Sequence, residues 1–398
     1  MLPDVVETLC DLVRIPSVNP MGRPLVGPEY LEQALTQYLQ TFFQNLGVAW
    51  LRQTVEPRRD NILAGIPGSV PPDKGGRIVV FEAHQDTVPV DGMTIPPWTP
   101  EIRDGRVYGR GSCDIKGGMA CMLTAFARLA RERPASMPTV IMACSVNEEH
   151  GFTGATSLAR LWTEGEFSLV PRVPNAVIVA EPTGLNVVVA HKGVVRWRCR
   201  TRGIASHSST PQAGRNAIYE MAHVLAALEG YSRDVVPSLG HHPLLGSPTL
   251  SVGVIAGGVS VNTVPDHCVI EIDRRLLPNE RKADALRHVA NYLTERCPAI
   301  TVTHDEPFLS SPGFSDDGNH GLAAQLSGAA RACEAPGNII GVPYGTDAPA
   351  FAEVGAPTVV FGPGSIEQAH TADEWIAVDQ LRQATEIYYR FGSQADPS

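Results

Sequence analysis

No stretch of this 398-residue chain reaches the roughly 18 consecutive apolar residues that a membrane-crossing helix needs, so a bilayer-spanning role is not expected. Basic excess is missing too. The formal net charge is -10, which argues against a nucleic-acid partner, whose phosphates call for lysine and arginine patches, and against an anionic membrane surface. The eight cysteines are scattered, with no Cys-x-x-Cys pair, and read as buried thiols of a reducing compartment. Met1 to Thr8 carries acids where a secretion signal needs basic residues, so it reads as an amphipathic helix of the mature protein, and the cytoplasm is the expected location. Internal repeats and low-complexity segments are lacking. What remains is a globular composition, 43% hydrophobic and 19% charged, too long for one ordinary core and therefore expected to form two domains.

The most informative stretch is Phe81-Glu82-Ala83-His84-Gln85-Asp86-Thr87-Val88-Pro89, which follows the β-branched run Arg77-Ile78-Val79-Val80. That run reads as a buried strand, and His84 and Asp86, two apart, project from one face where it ends. Open α/β folds place their sites at that sheet edge. Alone, a His-x-Asp pattern is more commonly a structural polar pair; its partners downstream change the balance. Gly109 to Gly118 sets Asp114 in a glycine-rich turn ahead of the helical Met119 to Leu129. Val140 to Val146, another buried strand, ends in Asn147-Glu148-Glu149-His150-Gly151. Two adjacent glutamates there repel unless a cation neutralises them or one holds a proton. Ala176 to Ala180 runs into Glu181-Pro182-Thr183, and Phe361-Gly362-Pro363-Gly364 leads to His370-Thr371-Ala372-Asp373-Glu374. Two histidines and three carboxylates, with no cysteine, suit Zn2+ or a similar divalent ion, and the carboxylate share is enough to bridge two ions. Burying Asp114 or Glu149 unpaired would be costly, which disfavours a purely structural reading.

In this order the five blocks resemble the di-zinc amidohydrolase and exopeptidase family that includes acetylornithine deacetylase, succinyl-diaminopimelate desuccinylase, aminoacylase and glutamate carboxypeptidase. The resemblance runs from Leu12 to His370, and the segments Glu181-Pro182-Thr183, His191 to Val195 and Ala205 to Ser209 are most similar to the acetylornithine deacetylase branch. It implies that His84 and Glu181 hold one zinc, Glu149 and His370 the other, and Asp114 bridges them, with Co2+ or Mn2+ able to substitute. Glu148 would be the general base and acid, and Asp86 would orient His84. Two-metal hydrolysis needs these roles independently. A nearby carboxylate must take the water's proton and pass it to the leaving amine, and a ligand imidazole needs a partner on its second nitrogen. Glutamate at 181, where the family also uses aspartate, does not settle the substrate.

Two helices, Asp4 to Val13 and Glu29 to Leu46, and a strand ending at Thr54 precede the turn-rich Pro67 to Gly76; the proline-rich Asp91 to Trp98 reads as a rim. Strand-helix alternation up to Glu181 predicts an α/β domain with a mostly parallel sheet. Beyond Val187 the pattern changes. Val194 to Arg200 alternates like an open-faced antiparallel strand, Ala217 to Leu228 and Ala283 to Arg296 read as helices, and Leu250 to Ile255 and Val269 to Ile272 as strands, which together fit an α+β sandwich. The first pattern returns with Leu322 to Cys333 and Pro357 to Phe361. The expected organisation is a catalytic metal-binding domain over 1–190 and 303–398, interrupted by an inserted α+β lid and dimerisation domain over 191–302. Gln394 to Ser398 reads as a frayed end.

The resemblance also supplies candidates inside the insertion. His207 matches the family histidine that reaches the partner subunit's active site and stabilises the oxyanion, which implies a working homodimer; without the resemblance, a histidine before serines is usually a capped loop. Asn262 and Arg275 resemble a substrate-binding pair. Arg275 could grip a carboxylate with two parallel hydrogen bonds, and Arg274 is the competing choice. Gly345 and Thr346, ahead of the helix-like Ala348 to Val354, resemble the loop that cradles a substrate carboxylate, where a helix N-terminus favours an anion. His191, His241, His242, His304 and His320 read as structural or surface residues, and Cys113 as a packed small side chain. The expected substrate is an N-acyl amino acid or a dipeptide. Acetylornithine deacetylase leads; succinyl-diaminopimelate desuccinylase, aminoacylase and a dipeptidase or carboxypeptidase share every motif, and an amidohydrolase of xenobiotic or carbamoyl groups stays open. A non-hydrolytic binding protein is disfavoured because Glu148 and all five ligands are present.

Overall fold

The computed structural model describes residues 2–165 and 169–394; the last four residues of the expected frayed end lie outside the described residues. Two compact units emerge: Met1–Val189, Asp316–Ile340 and Thr346–Ser398 form one, and Ala190–Ser315 with Gly341–Gly345 the other. The second unit runs on to Ser315 rather than stopping at 302. The reason is strand pairing, because Val302–His304 and Leu309–Ser311 both pair antiparallel with Gly193–Arg202.

The first unit is built on an eight-stranded sheet, in the order Ala49–Glu56, Arg59–Ile66, Thr139–Ser145, Ile78–His84, Ala176–Val179, Thr358–Val360, Val187–His191 and Ile339–Val342. Its centre is parallel: Ile78–His84 pairs in parallel with both Thr139–Ser145 and Ala176–Val179, which pairs in parallel with Thr358–Val360. Every residue of Ile78–His84 and Thr139–Ser145 is buried, as strands covered on both faces require. Helices supply the cover. Val5–Val13 starts at Asp4, whose carboxylate accepts from the Val6 and Glu7 amides, and Gln33–Leu46 stops at Gly47 in the left-handed region, φ 66°. Lys116–Glu132 and Val378–Ser393 pack together on the core, where Phe81 and Tyr388 meet with ring centroids 5.5 Å apart. Because the four central strands are parallel, their carboxyl ends lie along one edge.

The second unit is a five-stranded antiparallel sheet led by Thr249–Gly257, His267–Leu276 and Gly193–Arg202. Cys268, Ile270, Ile272 and Leu276 are buried in a core with Met221, Val224 and Leu228 of helix Ala217–Gly230 and Val289 and Leu293 of helix Lys282–Arg296. The intervening residues form a charged face, on which Arg196 pairs with Asp273 and Arg198 with Glu271. Among the described residues no helix is long and apolar enough to cross a membrane.

Candidate metal centre

The parallel edge of the first unit gathers the acidic and imidazole groups. His84 closes its strand, Glu148 and Glu149 follow the Thr139–Ser145 strand, and Glu181 lies two residues past Val179. Asp114 comes from the glycine-rich turn before helix Lys116–Glu132, and His370 from the loop after Thr358–Val360. Ligand atoms of His84, Asp114 and Glu181 all lie within 4.8 Å of one another, and so do those of Asp114, Glu149 and His370. Asp114 belongs to both groups. One of its oxygens is 3.3 Å from His84 Nε2 and the other 3.2 Å from His370 Nε2, which is also 3.5 Å from Glu149 Oε2.

Among the described residues the buried atoms His84 Nε2, Asp114 Oδ1 and Glu149 Oε1 have no hydrogen-bond partner, which is costly unless something else engages them. Electrostatics point the same way. Burial opposes the His84 imidazolium, but the adjacent Asp114 carboxylate and the charges of Glu148, Asp86 and Glu181 raise its pKa well above the ordinary value. His370 is likewise opposed by burial and lifted by Asp114 and Glu149, to about 10. Burial, with the neighbouring carboxylates adding to it, raises Glu148, Glu149 and Glu181. A pocket that holds protons this firmly on imidazoles demands positive charge, and its donors are oxygen and imidazole nitrogen. That set fits a pair of borderline divalent cations.

Asp86 acts through atoms other than those expected from the sequence. His84 Nδ1 donates to the Asp86 main-chain carbonyl at 2.9 Å, whereas the nearest carboxylate oxygen is 3.7 Å away. A carbonyl can only accept, so Nδ1 carries the hydrogen and Nε2 is left to face Asp114. The buried Asp86 carboxylate accepts instead from the Glu148 and Glu149 amides, each at 3.1 Å, and from Asn19 Nδ2 at 2.8 Å. It thus fixes the turn that presents both glutamates.

The sequence pattern of peptidase family M20/M25/M40 matches residues 80–394. The chain belongs to that family. It is therefore a hydrolase of the metallopeptidase and amidohydrolase kind. It is 31% identical over 362 residues to an acetylornithine deacetylase of Vibrio campbellii, covering 88% of this chain and 89% of that protein. Among solved structures, aminopeptidase PepT of Bacillus cereus superposes with a TM-score of 0.75 at 23% identity, covering 98% and 97% of the two chains. The YXEP protein of Bacillus subtilis, described as a dinuclear metal-binding peptidase of the M20 family, gives 0.67 at 16% identity, covering 98% and 96%.

In this M20/M25/M40 chain the remaining candidates fall in different places. His207 is exposed in the second unit, with Nδ1 2.7 Å from Ser209 Oγ, and Asn262 is exposed with Oδ1 accepting from Ser260 Oγ. Arg274 is fully buried and bonded to Glu280, so strand alternation leaves Arg275 on the accessible face, where it pairs with Asp273 at 2.8 Å. Gly345 belongs to the second unit and Thr346 to the first, where Thr346 Oγ1 accepts from the Ala348 amide. Sequence reasoning passed over Glu82 and Asp347, both buried and both within hydrogen-bond distance of Ser145 Oγ, at 2.5 and 3.0 Å. Burial pushes Asp347 up to about 7. A lone acid inside the apolar run before His84 was the available signal for Glu82.

Proposed function

We propose that this protein hydrolyses the amide bond of an N-acyl amino acid, in the manner of acetylornithine deacetylase, at a centre of two Zn2+ ions. The observation that carries this reading is the pair of ligand groups sharing Asp114, with Glu148 outside both groups yet adjacent to Glu149. His84 and Glu181 would hold one ion, Glu149 and His370 the other, and Asp114 both; Co2+ or Mn2+ would substitute. When bound, such ions supply Lewis acidity toward a carbonyl and make water acidic enough to ionise near neutral pH. Glu148 then takes the attacking water's proton and returns it to the departing nitrogen. Asp86 holds the amides of Glu148 and Glu149 and fixes the His84 tautomer.

The relative named acetylornithine deacetylase supports an acyl amino acid, and the neighbour named aminopeptidase keeps short peptides in view. The proposal extends, on the family resemblance, to His207 as the oxyanion group and to Asn262, Arg275, Gly345 and Thr346 as substrate contacts. It extends also to a homodimer. Thr249–Gly257 is the edge of its sheet and exposes Val254 and Ile255, apolar surface that a second copy would cover.

The test is a panel of N-acetylornithine, N-succinyl-diaminopimelate, several N-acetyl amino acids, dipeptides and tripeptides, offered to the zinc-loaded protein, with its mass measured by light scattering. Turnover of an N-acyl amino acid by a two-chain particle is the expected result. An inert panel with zinc fully bound would remove the assignment to these substrates.

A further inference from the structure

Glu374 is fully buried, and its carboxylate is enclosed by the turn that carries Asp114. One oxygen accepts from Arg110 Nη1 at 2.6 Å and from the Gly111 amide at 2.9 Å; the other accepts from the amides of Cys113 at 2.8 Å and Asp114 at 3.0 Å. The Glu374 carbonyl accepts from the Gly109 amide at 3.0 Å. Immediately beyond, Trp375–Ala377 pairs antiparallel with Arg106–Tyr108, so the two segments stay joined. A charge this deep is costly unless its lone pairs are used, and here N–H donors use them. The group therefore has little left with which to ligate a metal.

Four residues before Glu374 stands His370. It differs from the other residues of the two ligand groups in that its side chain is 49% exposed and its backbone lies in the left-handed region at φ 62°; like Asp114, it is carried by a loop rather than by a strand end. His84 follows directly from a buried strand, and Glu149 is fixed through Asp86. The loop bearing His370 and the turn bearing Asp114 are tied together at Glu374.

Building on the two-metal reading, we infer that Glu374 is a positioning residue that sets Asp114 and His370 at the spacing the Asp114–Glu149–His370 metal needs. The inference predicts a selective defect. In Glu374→Gln one oxygen becomes an NH2 group, and either orientation of the amide points donors at donors, because both oxygens accept from N–H groups in the native protein. The clamp loosens, and the more weakly anchored ligand set is lost first, while His84 and Glu181 keep their strand-end anchorage.

The experiment is a zinc titration of the metal-free protein against a chelating indicator, with circular dichroism confirming the fold of each variant. The unchanged protein is expected to bind two zinc ions. Glu374→Gln is expected to weaken the second binding step by about 10–100-fold, the usual effect of removing a group that supports metal ligands, and to leave the first within about threefold. Glu374→Asp, which keeps the charge on a shorter arm, should fall between. Two tight sites in a folded Glu374→Gln, or equal loss from both, would overturn the inference. If Glu374→Gln does not fold, Arg110→Gln takes its place: Glu374 then keeps its three side-chain bonds to amides, a smaller loss at the second step is expected, and two unchanged sites overturn the inference. An unchanged protein that binds no zinc would instead defeat the metal-centre reading on which this rests.

Discussion

Replacing Glu148 by alanine is expected to lower kcat by about 10²–10⁴-fold on whichever substrate the protein turns over, with two metal ions still bound and KM little changed. Glu148 is 8% exposed, stands outside both ligand groups, and has its amide fixed to Asp86 Oδ1 at 3.1 Å. Burial, opposed by the charge of His84 and reinforced by Glu181, Glu149 and Asp347, holds its carboxyl well above the usual range. Bound cations pull that value back down, which is how a buried carboxylate becomes a base effective near neutral pH. A base must be deprotonated, so the rate should fall as pH drops through this group's pKa, and that acidic limb should vanish in the variant. A loss under tenfold, or an acidic limb that survives the substitution, would assign the proton transfer to another group.

Stripping the metal with a chelator is expected to abolish hydrolysis, with recovery on adding Zn2+, Co2+ or Mn2+. Without ions the buried carboxylates Asp114, Glu149 and Glu181 face one another, and the mutual repulsion is offset by protons held on His84 and His370 and by the raised pKa values of Glu149 and Glu181. Each site saturated at a hundredfold over its Kd stabilises the native state by about 2.7 kcal/mol. At about 1–2 °C per kcal/mol for a chain of this size, two sites amount to about 5–10 °C in Tm. The pH dependence follows from the same groups. A metal ligates neutral imidazole, and both imidazoles have raised pKa values, His370 at about 10, so metal binding must expel protons and should tighten as pH rises through the neutral range. Calorimetry in buffers of different ionisation enthalpy reads that proton release directly. Full activity and an unchanged Tm in protein shown to be metal-free would contradict the account.

Much of the centre was legible because fully buried parallel strands leave a plain trace, a mainly apolar run rich in β-branched residues that ends abruptly in polar ones. His84, Glu148, Glu149 and Glu181 all follow such runs. The supporting groups were not legible, because their roles depend on pairings across long stretches of sequence. Glu374 looked like the tail of the His370 block, yet its partners are Arg110, Gly111, Cys113 and Asp114. Nothing in the local sequence marks Asn19, and its place beside Asp86 and Asn147 is set by tertiary structure. Strand Arg59–Ile66 escaped notice because Asp60, Asn61 and Gly65 interrupt its apolar pattern; it is one of the antiparallel strands beside the parallel centre. The boundary at 302 was short because the strands beyond it are three residues each, too brief for alternation to register. That Arg274 is the buried one of the Arg274–Arg275 pair needed only the period of two, once the bounds of His267–Leu276 were known.

The account rests most heavily on Asp114 as the group shared by two metals. Anomalous diffraction at the zinc edge, from crystals grown with the zinc-loaded protein, tests that most directly. The predicted map has two peaks, one against His84 and Glu181 and one against Glu149 and His370, both within ligand distance of Asp114. A single peak, or two of which only one touches Asp114, would contradict it.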